Sequence, residues 1–277
     1  MTHTILIDCP DAKGLVHKIT GVLYHNDLNV IANHEFVEDI TNRFFMRTEI
    51  AGEMDAERIH NGLQGILPPD AYISIAKKVK KRVVVLVTKE HHCLGELLVK
   101  HNFGELNAEI VAVIGNHNIL QDFTEKFGIP FHFISHENKT REEHEWEVLG
   151  RINEFEPDYI ILAKYMRILS GDFVKHYPNR LVNIHHSFLP AFIGANPYRQ
   201  AHERGVKIIG ATAHFVNDNL DEGPIIMQNV IPTDHTHTSQ EMAQMGRDVE
   251  KLVLAKALKL VFEDRVFVNG NKTIIFD

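Results

Sequence analysis

The chain has 277 residues, 44% hydrophobic and 24% charged, which is ordinary globular usage and, at roughly 150 residues per domain, suggests about two domains. A formal net charge of −8 argues against broad binding to nucleic acid or anionic lipid, and no apolar run reaches the roughly 20 residues a membrane helix needs. With no secretory pattern at its start and only Cys9 and Cys93 for staples or zinc, the expectation is a cytoplasmic protein without disulfides, metal or membrane contact.

In chain order, an apolar strand is predicted over 4–8 and a turn over 11–14. A helix follows, in which Leu15, Ile19, Val22 and Leu23 recur at helical spacing. Strands over 28–37 and 44–50, a helix over 55–66 ended by Pro68-Pro69, and a strand over 72–79 complete a β-α-β-β-α-β order. That order is the split βαβ of ferredoxin-like domains, an antiparallel sheet with helices on one face, and it predicts a first domain over 1–80. The basic run 77–82 reads as a solvated junction in so acidic a chain.

Residues 81–277 are predicted as the second domain. Val83 to Val87 are five consecutive aliphatic residues, the mark of a strand buried on both faces of a parallel sheet. Helices over 94–100, 119–127, 140–155 and 171–176 alternate with strands over 108–114, 131–135, 159–162 and 181–185. This is a doubly wound, mostly parallel α/β pattern of Rossmann-like type. Paired strands over 208–216 and 225–231, a long helix over 239–262 and a last strand over 273–276 depart from it.

Side chains two apart on a strand share a face, so Asn183 and His185 point the same way where a buried strand leaves the sheet. Polar groups there are costly to bury unless something needs them; the alternative is that both satisfy local backbone. The loop 187–194 is apolar and irregular, suited to wall a pocket for a flat organic ligand. Asp221 stands in the turn 220–224, either as a turn former or as a catalytic carboxylate. The 19 histidines carry no metal-ligand spacing, and His235 and His237 lack accompanying carboxylates or thiols.

Asn183-Ile184-His185, the run Ser187-Phe188-Leu189-Pro190-Ala191-Phe192, the strand 210–216 and Asp221-Glu222-Gly223-Pro224-Ile225-Ile226 together resemble the folate-dependent formyltransferase family over about 82–277. The first unit resembles an ACT regulatory domain, and the combination is similar to the formyltetrahydrofolate deformylase family. The resemblance implies hydrolysis of 10-formyltetrahydrofolate to formate and tetrahydrofolate, supplying one-carbon units for purine synthesis, with no cofactor. It implies catalysis by Asn183 and His185 as donors to the oxyanion and by Asp221, which activates water and orients His185. His186, on the opposite strand face, is read as structural. Folate binding is implied for Met166, Arg167, Ile168, Leu169, Leu189, Val216, Asn217 and Leu220. Without the resemblance, 166–169 reads as core at the start of a helix, and Arg167 as a structural ion pair.

Two transferase alternatives differ in recognisable ways. Glycinamide ribonucleotide formyltransferases cradle a phosphate on a glycine- and serine-rich first loop. Here that loop is Thr88-Lys89-Glu90-His91-His92-Cys93-Leu94-Gly95, without the glycines that permit close backbone approach and with a repelling Glu90, so water is the expected acceptor and His92 and Cys93 are expected to help fill the acceptor site. Cys93 as a nucleophile lacks any nearby thiolate-activating feature. Methionyl-tRNA formyltransferases carry a further basic RNA-binding domain, which the sequence after the last strand does not supply. A third alternative is an inactive amino-acid sensor, against which the intact Asn183, His185 and Asp221 argue. For the ACT half, Asp11 and Gly14 are the candidate regulatory residues, with methionine or glycine as implied effectors and a homo-oligomer, dimer or tetramer, as the implied assembly.

Overall fold

A computed structural model of the protein describes residues 2–191 and 196–277. Phe192, Ile193 and Gly194 of the expected pocket wall lie outside the described residues. The chain divides into two compact units, Met1–Val79 with Asp264–Phe267 and Ile274–Asp277, and Lys80–Glu263 with Val268–Thr273. The sequence reading puts all of 264–277 in the second domain; parts of that tail return to the first unit instead.

In the first unit, strands β1 (Thr2–Pro10), β2 (Asn29–Glu38), β3 (Arg43–Ala51) and β4 (Tyr72–Lys77) form an antiparallel sheet of order β2-β3-β1-β4. Alternation on β1 turns Ile5, Ile7 and Cys9 inward. Helices α1 (Leu15–Tyr24) and α2 (Ala56–Gln64) cover that face with Leu15, Ile19, Leu23, Ile59 and Leu63. The Asp55 carboxylate starts α2 by accepting from the Glu57 and Arg58 amides. The other face is not open, as the sequence suggested: Phe45 packs against Phe267 and Phe276 of the tail. A single-strand pattern cannot reveal that distant aromatic residues will close a face.

In the second unit, parallel strands β5 (Lys81–Val87), β6 (Ala108–Gly115), β7 (Phe131–Phe133), β8 (Tyr159–Leu162) and β9 (Leu181–His185) are joined by antiparallel β10 (Ile208–Phe215) and β11 (Ile225–Pro232). The sheet order is β11-β10-β9-β8-β5-β6-β7. Val83 to Val87 are buried between parallel neighbours on both sides, as their unbroken apolar run predicts. The chain builds β6 and β7 on one side of β5, then β8 and β9 on the other. The direction of winding therefore reverses between β5 and β8, where such sheets open a crevice at their carboxyl ends.

Helices α3 (His92–Asn102), α4 (Gln121–Glu125), α5 (Arg141–Asn153), α6 (Gly171–Lys175), α7 (Pro197–Glu203) and α8 (Ser239–Phe262) complete this unit. Capping boxes at Thr140 with Glu143 and at Thr238 with Glu241 start α5 and α8. Helix α7 and strand β12 (Val266–Asn269), which pairs with β13 (Lys272–Ile275), were not predicted. No helix among the described residues is long and apolar enough to cross a membrane.

Candidate active site

A cavity of about 940 Å³ lies where the winding reverses, lined by side chains from the ends of β8, β9 and β10 and from α8. Strand β9 brings Asn183 and His185 to it, both on one face as the two-residue spacing requires. Asp221 reaches the same cavity from the β10–β11 connection, where its own backbone is left-handed (φ 57°). Gly223 fixes that turn, because a Cβ there would lie 1.8 Å from the Phe215 carbonyl oxygen.

The three predicted catalytic side chains converge. His185 Nδ1 is 3.3 Å from Asp221 Oδ2, and both side chains are nearly buried. The buried His185 Nε2 has no hydrogen-bond partner. Asn183 Nδ2 donates to His214 Nε2 at 3.2 Å, and His214 Nδ1 donates to the Phe215 carbonyl at 2.8 Å. Burial pushes His214 below its ordinary value, so it is the neutral tautomer with Nε2 free to accept. The Asn183 amide is thereby held in one orientation with its second N–H unused. Burial would raise Asp221, but the hydrogen bond and charge of His185 outweigh it and hold the carboxyl below its usual value.

Sequence reasoning assigned no role to His214, although it lies in the quoted strand 210–216; a histidine among Gly, Ala and Thr was the available signal. His186 also lines the cavity, its ring 6.2 Å from that of Tyr198, and burial with the Lys164 charge pushes it down to about 4.

A second cluster shares the cavity wall and was largely missed. Glu250 on α8 accepts from His92 Nε2 at 2.8 Å, from the Tyr198 hydroxyl at 2.6 Å and from Lys164 Nζ at 3.0 Å. Burial works to raise the Glu250 carboxyl, yet these partners hold it down to about 2. The signal was present: Glu250 interrupts the buried stripe Gly246, Val249, Val253, Leu254, Ala257 and Leu258. Lys164 is buried in a left-handed conformation (φ 62°), which costs a non-glycine residue roughly 1–2 kcal/mol. His92, Cys93 and Glu250 place ligand atoms within 4.8 Å of one another. However, Glu250 is occupied by its three donors, and burial drives the Cys93 thiol well above its ordinary value. A protonated thiol is not a nucleophile.

Of the expected folate residues, Met166, Arg167, Ile168, Leu169, Val216, Asn217 and Leu220 line the cavity. Met166 and Ile168 are exposed rather than core, and 166–169 is an irregular segment held by the Met166 amide donating to Thr88 Oγ1 at 2.8 Å. Leu189 is not among the lining residues. It is buried, with its amide donating to Thr212 Oγ1 and its carbonyl accepting from Gln228. Glu90 stands at the cavity in the first loop, and His91 caps α3 without a side-chain hydrogen bond. In the first unit, Asp11 is half-buried, its amide donating to the Asn42 carbonyl at 2.8 Å, and Gly14 (φ 84°) is the N-cap of α1.

Residues 81–258 match the formyl transferase family model and residues 3–59 the ACT domain model. The chain is 55% identical to the formyltetrahydrofolate deformylase of Haemophilus influenzae over 271 residues, covering 98% of each. It is 56% identical to that of Escherichia coli K12 over 267 residues, covering 96% of this chain and 95% of the other. The crystal structure of a formyltetrahydrofolate deformylase from Pseudomonas syringae pv. tomato superposes with a TM-score of 0.96 at 37% identity, covering 100% of this chain and 94% of that one. With both domain models matched in order and identity sustained end to end, the chain belongs to the formyltetrahydrofolate deformylase family.

Proposed function

We propose that this chain hydrolyses 10-formyltetrahydrofolate to formate and tetrahydrofolate with Asn183, His185 and Asp221 as its catalytic residues. The observation that carries the reading is the unspent donor at the cavity: His185 is anchored through Nδ1 on Asp221 while its buried Nε2 bonds to nothing. Asp221, ionised well below neutral pH, holds a water and takes its proton as the oxygen attacks the formyl carbon. The carbonyl oxygen becomes negative and accepts the second N–H of Asn183 and the Nε2–H of His185. Each such donor is worth on the order of 3 kcal/mol in comparable sites. Collapse breaks the bond to N10, which takes up a proton, releasing tetrahydrofolate and formate. Met166, Ile168, Val216 and Leu220 offer apolar faces to the pterin ring, and Arg167 and Asn217 offer polar contacts.

Incubation with 10-formyltetrahydrofolate, with and without glycinamide ribonucleotide, tests the reading. Formate and tetrahydrofolate should appear in equal amounts at a rate the acceptor does not change. A strict need for the acceptor would reverse the assignment to transferase.

For the ACT unit the reading is amino-acid control, with methionine or glycine bound at the turn 11–14, where no side chain caps α1, although the Leu15 amide already donates to the Ala12 carbonyl. Equilibrium dialysis and rate measurements with both amino acids test it, and indifference to both would remove it. A homo-oligomer fits the edge strands β2 and β4 of that sheet, and sedimentation would read it out. The free, buried Cys9 and Cys93 fit a reducing, cytoplasmic setting.

A further inference from the structure

Lys164 leaves β8 two residues beyond Leu162, which pairs with Asn183 on β9. Lys164 and His185, near these two strand ends, line the same cavity. Only 4% exposed, Lys164 takes a left-handed backbone that glycine adopts freely and lysine resists. Its ammonium is seated on Glu250, which His92 and Tyr198 also hold. Gly246 makes room for this, since a Cβ there would lie 2.0 Å from the Tyr198 hydroxyl. Fold stability does not account for the arrangement, because apolar residues of similar volume usually serve at least as well as a buried ion pair. What it does chemically is keep a primary ammonium on a buried carboxylate in the wall of the cavity that Asn183, His185 and Asp221 also line, a position an amine could otherwise occupy.

We propose that Lys164 is a specificity residue, whose side chain fills from within the chain the ammonium subsite that Glu250 would otherwise offer to an amine acceptor, leaving water as the nucleophile. The inference rests on the hydrolase reading. With the side chain gone, a small primary amine docks on Glu250 and gives up a proton to Asp221. Its nitrogen lone pair attacks the formyl carbon, the bond to N10 breaks, and N10 takes up a proton. The products are the formylated amine and tetrahydrofolate, with no further reactant.

The test uses the full-length protein, 10-formyltetrahydrofolate and increasing glycinamide, with formate, formylglycinamide and tetrahydrofolate all measured. The unmodified protein should give formate at every glycinamide concentration. Lys164→Gly should divert product to formylglycinamide by a factor on the order of 10 or more over the unmodified protein, and adding Glu250→Gln should abolish the gain. Lys164→Asn, which tolerates the left-handed backbone and keeps more of the wall, is the second variant should the glycine form fail to fold. Tetrahydrofolate released with formate alone from either folded variant overturns the proposal while sparing the hydrolase reading. An unmodified protein that releases no formate overturns both.

Discussion

Two carboxylates are buried in one cavity wall, Asp221 with its side chain 10% exposed and Glu250 with 1%. Burial acts on both to raise the carboxyl, and in both the neighbouring donors win. The difference lies in how many donors each carboxylate takes, three on Glu250 against His185 on Asp221. Lys164, His92 and Tyr198 all bond Glu250 and make a wall, although the buried His92 Nδ1 has no hydrogen-bond partner and stands 3.5 Å from Glu90. His185, the partner of Asp221, keeps an unbonded Nε2, and Asn183, tethered through His214, keeps a second N–H. Three donors on one carboxylate shape a site; donor groups left over at the cavity have capacity to stabilise charge that appears only during a reaction.

The contrast can be broken first at Asp221. Asp221→Ala should lower formate release by on the order of 10³-fold or more while leaving binding of a non-hydrolysable folate analogue nearly unchanged. Near-normal turnover would remove Asp221 from the mechanism. Glu250→Ala strands the Lys164 ammonium in the interior and should cost roughly 3–5 kcal/mol in urea unfolding; a loss under 1 kcal/mol would show that the network is not a wall. Asn183→Ala removes one oxyanion donor and should cost about 3 kcal/mol in kcat, roughly 10²-fold, with KM less affected.

The pH dependence sharpens the comparison further. Both carboxyls lie below their ordinary values of 3.8 and 4.5, so each contributes stability that is fully present above those values and lost as pH falls through the folded ones. The stability gap between the protein and Glu250→Gln should hold from neutral pH down to 4.5 and close toward pH 2, and a gap closing near neutrality would contradict the assignment. The smallest expected effect is Thr238→Ala, which uncaps the helix carrying Glu250 and should cost about 1 kcal/mol without altering the product.

Much of this was legible in the chain. Strands 159–162 and 181–185 and the helix 239–262 are bounded by turn residues and caps, and the observed elements have those limits. Helix α7 escaped notice because its seven residues, Pro197–Glu203, are too few to show a period, with only Pro197 and Ala201 buried. Met166 and Ile168 line the cavity, as the resemblance implied, and are not the core that the pattern alone offered; Leu189 is buried away from the lining, since hydrophobicity says that a residue can be buried but not by what. The pairing of Asn183 and His185 followed from strand geometry. Their meeting with Asp221 came only through resemblance, as those segments lie in separate stretches.

By itself the sequence determined the two-domain α/β plan, the parallel core around residues 83–87 and the polar pair at the end of strand 181–185, because period, length and turn chemistry are local properties. Tertiary structure alone decided that Glu250, Lys164, His92 and Tyr198 meet beside the reacting groups, and that His214 orients Asn183. Those contacts span up to 158 residues, and the pairing of charges across such distances follows from the winding of the sheet, which no local pattern encodes.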